Sequence, residues 1–201
     1  MHPQPVTSMK SPLLLRYPTI IVFGNSGSGK STLARNLVSK HPEWPHLDLD
    51  TIAWCHKDDQ SVPKRKPHHI ATQELDEWIM AQQQPPELWI MEGCYADLLS
   101  HVAPKATLAI YLNLPILTCQ ENAKARPWEP HKYPHGKQDQ DANLPMLLDW
   151  IADYEHRSKD SDFSKHAHQA LFDSFDGKKL EITSNWSPQD NSIEQTLLSL
   201  N

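Results

Sequence analysis

With 201 residues and a net charge of −6, the chain is long enough for one domain with a proper core and poorly suited to a general nucleic-acid-binding surface. No apolar run approaches the roughly 20 residues that a membrane-spanning helix needs. Cys55, Cys94 and Cys119 are odd in number and widely spaced, and the twelve histidines do not follow zinc-cluster spacing, so neither a disulfide framework nor a structural metal is indicated and the chain reads as cytoplasmic.

Residues 1–17 are proline-rich and polar around a single Leu13-Leu14-Leu15, too short for a signal-peptide core, and read as a flexible tail. Residues 18–201 are expected to form one domain. The apolar run Ile20-Ile21-Val22-Phe23 has the character of a fully buried parallel strand. Immediately after it, Gly24-Asn25-Ser26-Gly27-Ser28-Gly29-Lys30-Ser31 matches the phosphate-binding pattern G-x-x-x-x-G-K-[ST] at every fixed position. A glycine-rich turn can curl its backbone N–H groups around an anion, because no Cβ blocks the approach and positive φ costs little. The pattern assigns Lys30 to the β- and γ-phosphates and the Ser31 hydroxyl to Mg²⁺. The following helix, with Leu33, Leu37 and Val38 on one face, points its positive end at the polyphosphate.

A second strand fits residues 46–50, where Leu47 and Leu49 alternate with polar residues and Asp50 falls at the carboxyl end. Residues 54–66 are charged and aperiodic, and read equally as a solvated loop or as part of an acceptor-binding flap. Ala71, Leu75, Trp78, Ile79 and Gln82 share a helical face that Pro85-Pro86 ends. Leu88-Trp89-Ile90-Met91-Glu92-Gly93 reads as a third strand closing on an acid, the Walker B pattern, whose carboxylate holds Mg²⁺ or its water.

A short helix near residues 97–102 precedes a fourth strand at 107–112, and a further helix starts at Pro115. Residues 126–137 combine Arg126, Lys132 and Lys137 with prolines that preclude a regular helix, and read as a mobile lid reaching to about residue 145. Asn143 is expected to cap a helix ending near Arg157, and another helix covers about 166–175. A fifth strand fits 179–183, and Ser187-Pro188 is expected to start the last helix.

These blocks resemble the adenylate kinase/shikimate kinase branch of the small P-loop kinases over residues 18–126. They are most similar to the bacterial topology modulation proteins, or adenylate-kinase-like ATPases. Those carry Leu-Asp with Trp four residues later, as Leu49-Asp50 and Trp54 stand here, and Trp-Val-Ile-Asp-Gly-Asn-Tyr, where this chain has Trp89-Ile90-Met91-Glu92-Gly93-Cys94-Tyr95. Asp48-x-Asp50 and Arg126-Pro127 echo shikimate kinase, but Gly93 stands alone where that enzyme has a triple-glycine segment, which counts against shikimate itself.

The resemblance implies an α/β three-layer P-loop NTPase fold, with a five-stranded parallel sheet in the order 2-3-1-4-5. It also implies a Mg²⁺-dependent kinase that passes the γ-phosphoryl of ATP to a hydroxyl or phosphate of a small molecule or nucleotide. Gly24, Asn25, Ser26, Gly27, Ser28, Gly29, Lys30, Ser31 and Thr32 would hold the nucleotide. Ser31, Asp48 and Glu92 would hold the metal or its water. Lys30, Asp50 and Arg126 would act in catalysis, with Arg157 as a second candidate arginine. The alternative is a slow or inactive nucleotide switch that binds a protein partner. Neither nucleic acid nor membrane is an expected partner, and oligomeric state stays open.

Overall fold

The computed structural model describes residues 11–55, 64–82, 87–129, 133, 135–187, 189 and 191–200. Strands β1 (Thr19–Gly24), β2 (His46–Asp48), β3 (Trp89–Gly93), β4 (Leu108–Leu112) and β5 (Lys178–Ile182) form one all-parallel sheet in the order β2-β3-β1-β4-β5. This is the expected order, and it is that of the P-loop kinase fold.

Pleating divides the side chains of the central strands between two cores. Ile20 and Val22 of β1, with Ile90, Leu108, Ile110 and Leu112, face α1 (Pro12–Arg16), α2 (Lys30–Lys40), α6 (Ile116–Lys124), α7 (Lys137–Ala152) and α9 (Ser192–Ser199). Ile21 and Phe23, with Met91, Ala109 and Tyr111, face α3 (Asp50–Ala53), α4 (His68–Ala81), α5 (Ala96–Val102) and α8 (Lys165–Ser174). Each fully buried Ile, Leu or Val is worth about 1.5–3 kcal/mol relative to exposure, so β1, β3 and β4, buried along their whole length, anchor the sheet. The edge strand β5 instead exposes Lys178, Lys179 and Glu181, charges that discourage pairing with another chain.

Four expectations are corrected. Residues 11–17 are not a tail: Ser11 caps α1, Leu13, Leu14 and Tyr17 are buried, and the Tyr17 hydroxyl donates to the Leu197 carbonyl over 3.1 Å. The leucine triplet, read as too short for a signal core, is long enough to dock one helical turn against α9. Residues 1–10 lie outside the described residues.

Asp50 opens α3 rather than ending β2. The Asp48 carboxylate accepts the Asp50 N–H at 2.9 Å and the Asp48 carbonyl accepts the Thr51 hydroxyl at 2.7 Å, a side-chain turn that stops the strand.

α7 begins at Lys137, so Asn143 lies inside the helix, its amide donating to the Asp139 carbonyl at 2.7 Å, and residues 137–145, expected to belong to the lid, are helical instead. Pro145 sits within α7 at a cost of roughly 3 kcal/mol, offset by Leu144, Leu147 and Leu148 packing on the core. Ser187 is not a helix cap either: its hydroxyl donates to the Gln189 side chain and α9 starts five residues later. The remaining helices and strands lie within a few residues of their expected bounds.

Candidate active site

The turn from β1 into α2 has the geometry its glycines demand. Gly24 and Gly27 take φ of +145° and +75°, and a Cβ there would sit 2.3 Å from the Leu112 carbonyl oxygen and 2.2 Å from that of Cys119. Any other residue would push the turn off the end of β4 and the first turn of α6. Gly29 then caps α2 with φ +93°, so the first-turn N–H groups of an eleven-residue helix open onto the cavity. Asn25 is buried and braces the turn, donating from Nδ2 to the Ile151 carbonyl at 3.0 Å and accepting the Ser26 N–H at 2.8 Å. Lys30 Nζ donates to the Asn25 carbonyl at 2.9 Å, a contact that a phosphate can replace. The buried Ser28 hydroxyl has no hydrogen-bond partner. Positive dipole, lysine and unsatisfied donors together fit a polyphosphate.

Two cavities flank this turn and meet at Gly27, Lys30, Ser31 and Arg126. The first, about 450 Å³, runs over Gly27, Ser28, Gly29 and Thr32 to Asn122, Asn185 and Trp186. Asn122 Nδ2 lies 3.0 Å from the Gly27 carbonyl and 2.9 Å from Asn185 Oδ1, tying the phosphate turn to the segment beyond β5. Asn122, Asn185 and Trp186 were missed from sequence. The signal available was position: Asn185 and Trp186 follow the carboxyl end of β5, the edge where ligands bind in open α/β sheets.

The second cavity, about 170 Å³, is lined by Asp48, Asp50, Glu92, Gly93, Cys94, Tyr133 and Leu147. Parallel register explains the carboxylates: Asp48 and Glu92 are direct partners across β2 and β3, so their side chains lie side by side. Burial opposes ionisation of Glu92, but His46, Lys30 and Ser31 outweigh it and hold the carboxyl below its usual range. Glu92 Oε1 is buried without a hydrogen-bond partner, and His46 Nε2, equally unpartnered, lies 3.8 Å away. An ionised, unsatisfied oxygen beside Asp48 and the Ser31 hydroxyl fits a hard cation such as Mg²⁺. Among the described residues no group of three or more His, Cys, Asp or Glu converges on a metal, so most ligands would have to be phosphate oxygens and water.

Arg126 borders both cavities, and its guanidinium contacts the Glu129 carboxylate at 3.1 Å. The segment around it is laced to α7: Gln140 Oε1 accepts the Glu129 N–H at 2.9 Å, and its amide donates to the Pro127 carbonyl at 3.1 Å. Lys132, expected among the lid cations, lies outside the described residues, and Lys137 opens α7. Arg157 is placed away from the site. It stacks 3.6 Å over Trp150 and donates to the Phe163 and Trp150 carbonyls, and burial lowers its pKa.

Behind the acidic cavity runs a buried chain. His168 Nε2 donates to the Cys94 carbonyl at 3.0 Å, which leaves Nδ1 to accept from the Tyr154 hydroxyl at 2.7 Å, and Tyr154 then accepts from Tyr111 at 3.2 Å. Burial pushes the His168 pKa down to about 3, so the ring is neutral and this one tautomer satisfies every partner.

A protein-family profile described as an AAA domain matches residues 20–143. No curated protein matches the chain. Among solved structures, TT1252 from Thermus thermophilus aligns with a TM-score of 0.52 at 16% identity, over 92% of this chain and 99% of its own. Shikimate kinase from Acinetobacter baumannii, in complex with shikimate, aligns at 0.49 and 16% identity over 93% and 94%. Deoxyadenosine kinase from M. mycoides with bound dATP aligns at 0.46 and 13% identity over 90% and 100%. Likeness at these identities is one of fold.

Proposed function

The chain belongs to the AAA domain family, and from that premise we propose that it is an ATP-dependent phosphotransferase acting on a small-molecule or nucleotide acceptor. The observation that carries this reading is the junction of two cavities at Lys30, Ser31 and Arg126, one lined by the phosphate turn and the other by three carboxylates. A protein that only bound and released Mg·nucleotide would use Ser31, Asp48 and Glu92 but would have no task for the third carboxylate, Asp50.

In this reading Gly24, Asn25, Ser26, Gly27, Ser28, Gly29, Lys30, Ser31 and Thr32 hold the nucleotide, and Lys30 exchanges the Asn25 carbonyl for β- and γ-phosphate oxygens. Ser31, Asp48 and Glu92 hold Mg²⁺ or its water, and the metal, when bound, neutralises charge between the phosphates. Asp50 orients the acceptor hydroxyl and takes its proton as the acceptor oxygen bonds to the γ-phosphorus. The bond to the β–γ bridging oxygen breaks and ADP leaves. Arg126 exchanges Glu129 for the transferred group, where a planar cation spans two oxygens. The segment around Arg126 closes over the site to exclude water.

The Leu49-Asp50…Trp54 and Trp89…Tyr95 blocks support a place beside the topology modulation proteins, with residues 18–201 acting as one cytoplasmic kinase unit joined by α1. The reading is tested by incubating the chain with γ-labelled ATP and panels of hydroxylated metabolites and nucleoside monophosphates. Label transfer to one acceptor class is the expected result. Slow phosphate release that no acceptor diverts, with nucleotide-dependent binding of a protein, would establish the switch instead.

A further inference from the structure

The Asp50 carboxylate is held from behind. The Trp54 indole N–H donates to the Tyr95 hydroxyl oxygen over 2.7 Å, and the Tyr95 O–H donates to Asp50 Oδ1 over 2.5 Å. The direction is forced, because an indole nitrogen only donates, an ionised carboxylate only accepts, and the phenol has one proton to give. Burial above all, with the neighbouring Cys94 and Asp50, raises the Tyr95 pKa far beyond its ordinary value, so the phenol keeps that proton.

Each member is itself braced. The Tyr95 ring is buried, with the Arg65 guanidinium 5.0 Å above it and the Phe163 ring edge-on at 5.4 Å. Arg65 is fastened in turn by both oxygens of Asp97 at 2.6–2.7 Å, and its backbone pairs with that of Trp54 in an antiparallel bridge. Gly93 permits the approach of the two segments: a Cβ there would lie 2.9 Å from Leu49 Cβ and 3.0 Å from Tyr95 Cδ2. Segments around residues 49–54, 65, 93–97 and 163, remote in sequence, thus converge behind one carboxylate on the wall of the acidic cavity.

We propose that Trp54 and Tyr95 are positioning residues, a directional Trp54→Tyr95→Asp50 relay that fixes the orientation of the Asp50 carboxylate toward the phosphoryl acceptor. The relay rests on the phosphotransferase reading and on the role of Asp50 within it. It gives a physical purpose to the tryptophan four residues after the aspartate and to the tyrosine three residues after the strand-ending acid. Hydrogen bonds in such a chain polarise one another, so the outer Trp54 bond strengthens the inner one.

Tyr95→Phe keeps the ring beneath Arg65 and removes only the hydroxyl. The probe is Mg·ATP with water as acceptor, read as phosphate release by the full chain, beside binding of a non-hydrolysable ATP analogue and thermal unfolding. Tyr95→Phe should lower kcat about tenfold or more, with KM for ATP, analogue affinity and Tm nearly unchanged. Trp54→Phe should cost less, about threefold, and the double variant should be no slower than Tyr95→Phe, because Trp54 acts only through Tyr95. In an Asp50→Asn background, Tyr95→Phe should have no further effect on kcat. A second drop there, or additive losses in the double variant, assigns the hydroxyl a merely structural role and overturns the relay, as does a wild-type kcat for Tyr95→Phe. Lys30→Ala separates the two ideas. If Lys30→Ala turns over normally, the phosphotransferase reading itself fails; if it is inactive while Tyr95→Phe is normal, the relay alone fails.

Discussion

In the proposed function, the nucleotide-facing and acceptor-facing halves of the site are built in opposite ways. The first is a continuous stretch, residues 24–32, whose work is done largely by backbone: glycine φ values, N–H groups and the end of α2. The second is assembled by side chains from β2, α3, β3, the Arg126 segment and α7, each carried in by a different element. A backbone device is specified locally and changes little with its surroundings. A side-chain device depends on sheet register and on helix placement, so its chemistry can be altered without disturbing the nucleotide half. The comparison predicts that substitutions in the first half remove nucleotide chemistry altogether, whereas those of Asp50 in the second, outside the proposed metal set, alter transfer and spare binding.

The largest expected effect is at Lys30. Lys30→Ala should abolish transfer while thermal unfolding stays unchanged, because this amine meets the Asn25 carbonyl and ligand rather than the core. Radiolabel transfer and a melting curve check both parts.

Arg126 lies on the seam between the halves, so Arg126→Lys tests whether they work as one. The charge survives but the planar fork does not, and kcat should fall on the order of 10³. Normal turnover would reduce the Arg126 segment to a surface connection.

Asp50→Asn probes the acceptor half alone. A loss of about 10² in kcat with ATP·Mg²⁺ affinity retained is expected. A fall in affinity instead would move Asp50 into the metal shell and blur the division.

The floor of the acceptor half depends on neutral His168. With its folded pKa near 3 and an unfolded value of about 6.5, the unfolded chain binds a proton that the folded one refuses below pH 6.5. Stability therefore falls as pH drops from about 6.5 toward 3, and this group should account for a loss of about 2 kcal/mol between pH 7 and pH 5. Denaturation midpoints at the two pH values, compared with His168→Gln, read this contribution directly; a slope unchanged in the variant would assign the acid sensitivity elsewhere.

The smallest effect sharpens the comparison from the nucleotide side. Trp186 lines the 450 Å³ cavity, and Trp186→Ala should weaken ATP-analogue binding about tenfold, measurable by calorimetry. That outcome would show that even the nucleotide half draws binding energy from a side chain far along the chain.

Much of this was legible in the residues. The run Ile20-Ile21-Val22-Phe23 reads as a buried strand and the glycine spacing after it as a phosphate turn, because both signals lie within a dozen residues. Glu92 was legible for the same reason, as an acid closing an apolar run. α1 was not: five residues have no helical stability of their own, and only docking on α9 makes them a helix. Nor was the start of α7, since proline at 145 argues locally for a break that packing by Leu144, Leu147 and Leu148 overrides.

The sequence by itself thus determined the phosphate turn, the parallel sheet and the identity of the acids at its carboxyl edge. Tertiary structure alone decided that Asp48 would stand beside Glu92, that Arg126 would border both cavities while Arg157 turned away onto Trp150, and that Trp54 and Tyr95 would meet on Asp50. Local sterics act between residues near in sequence. Register and packing act between residues that only the finished sheet brings together.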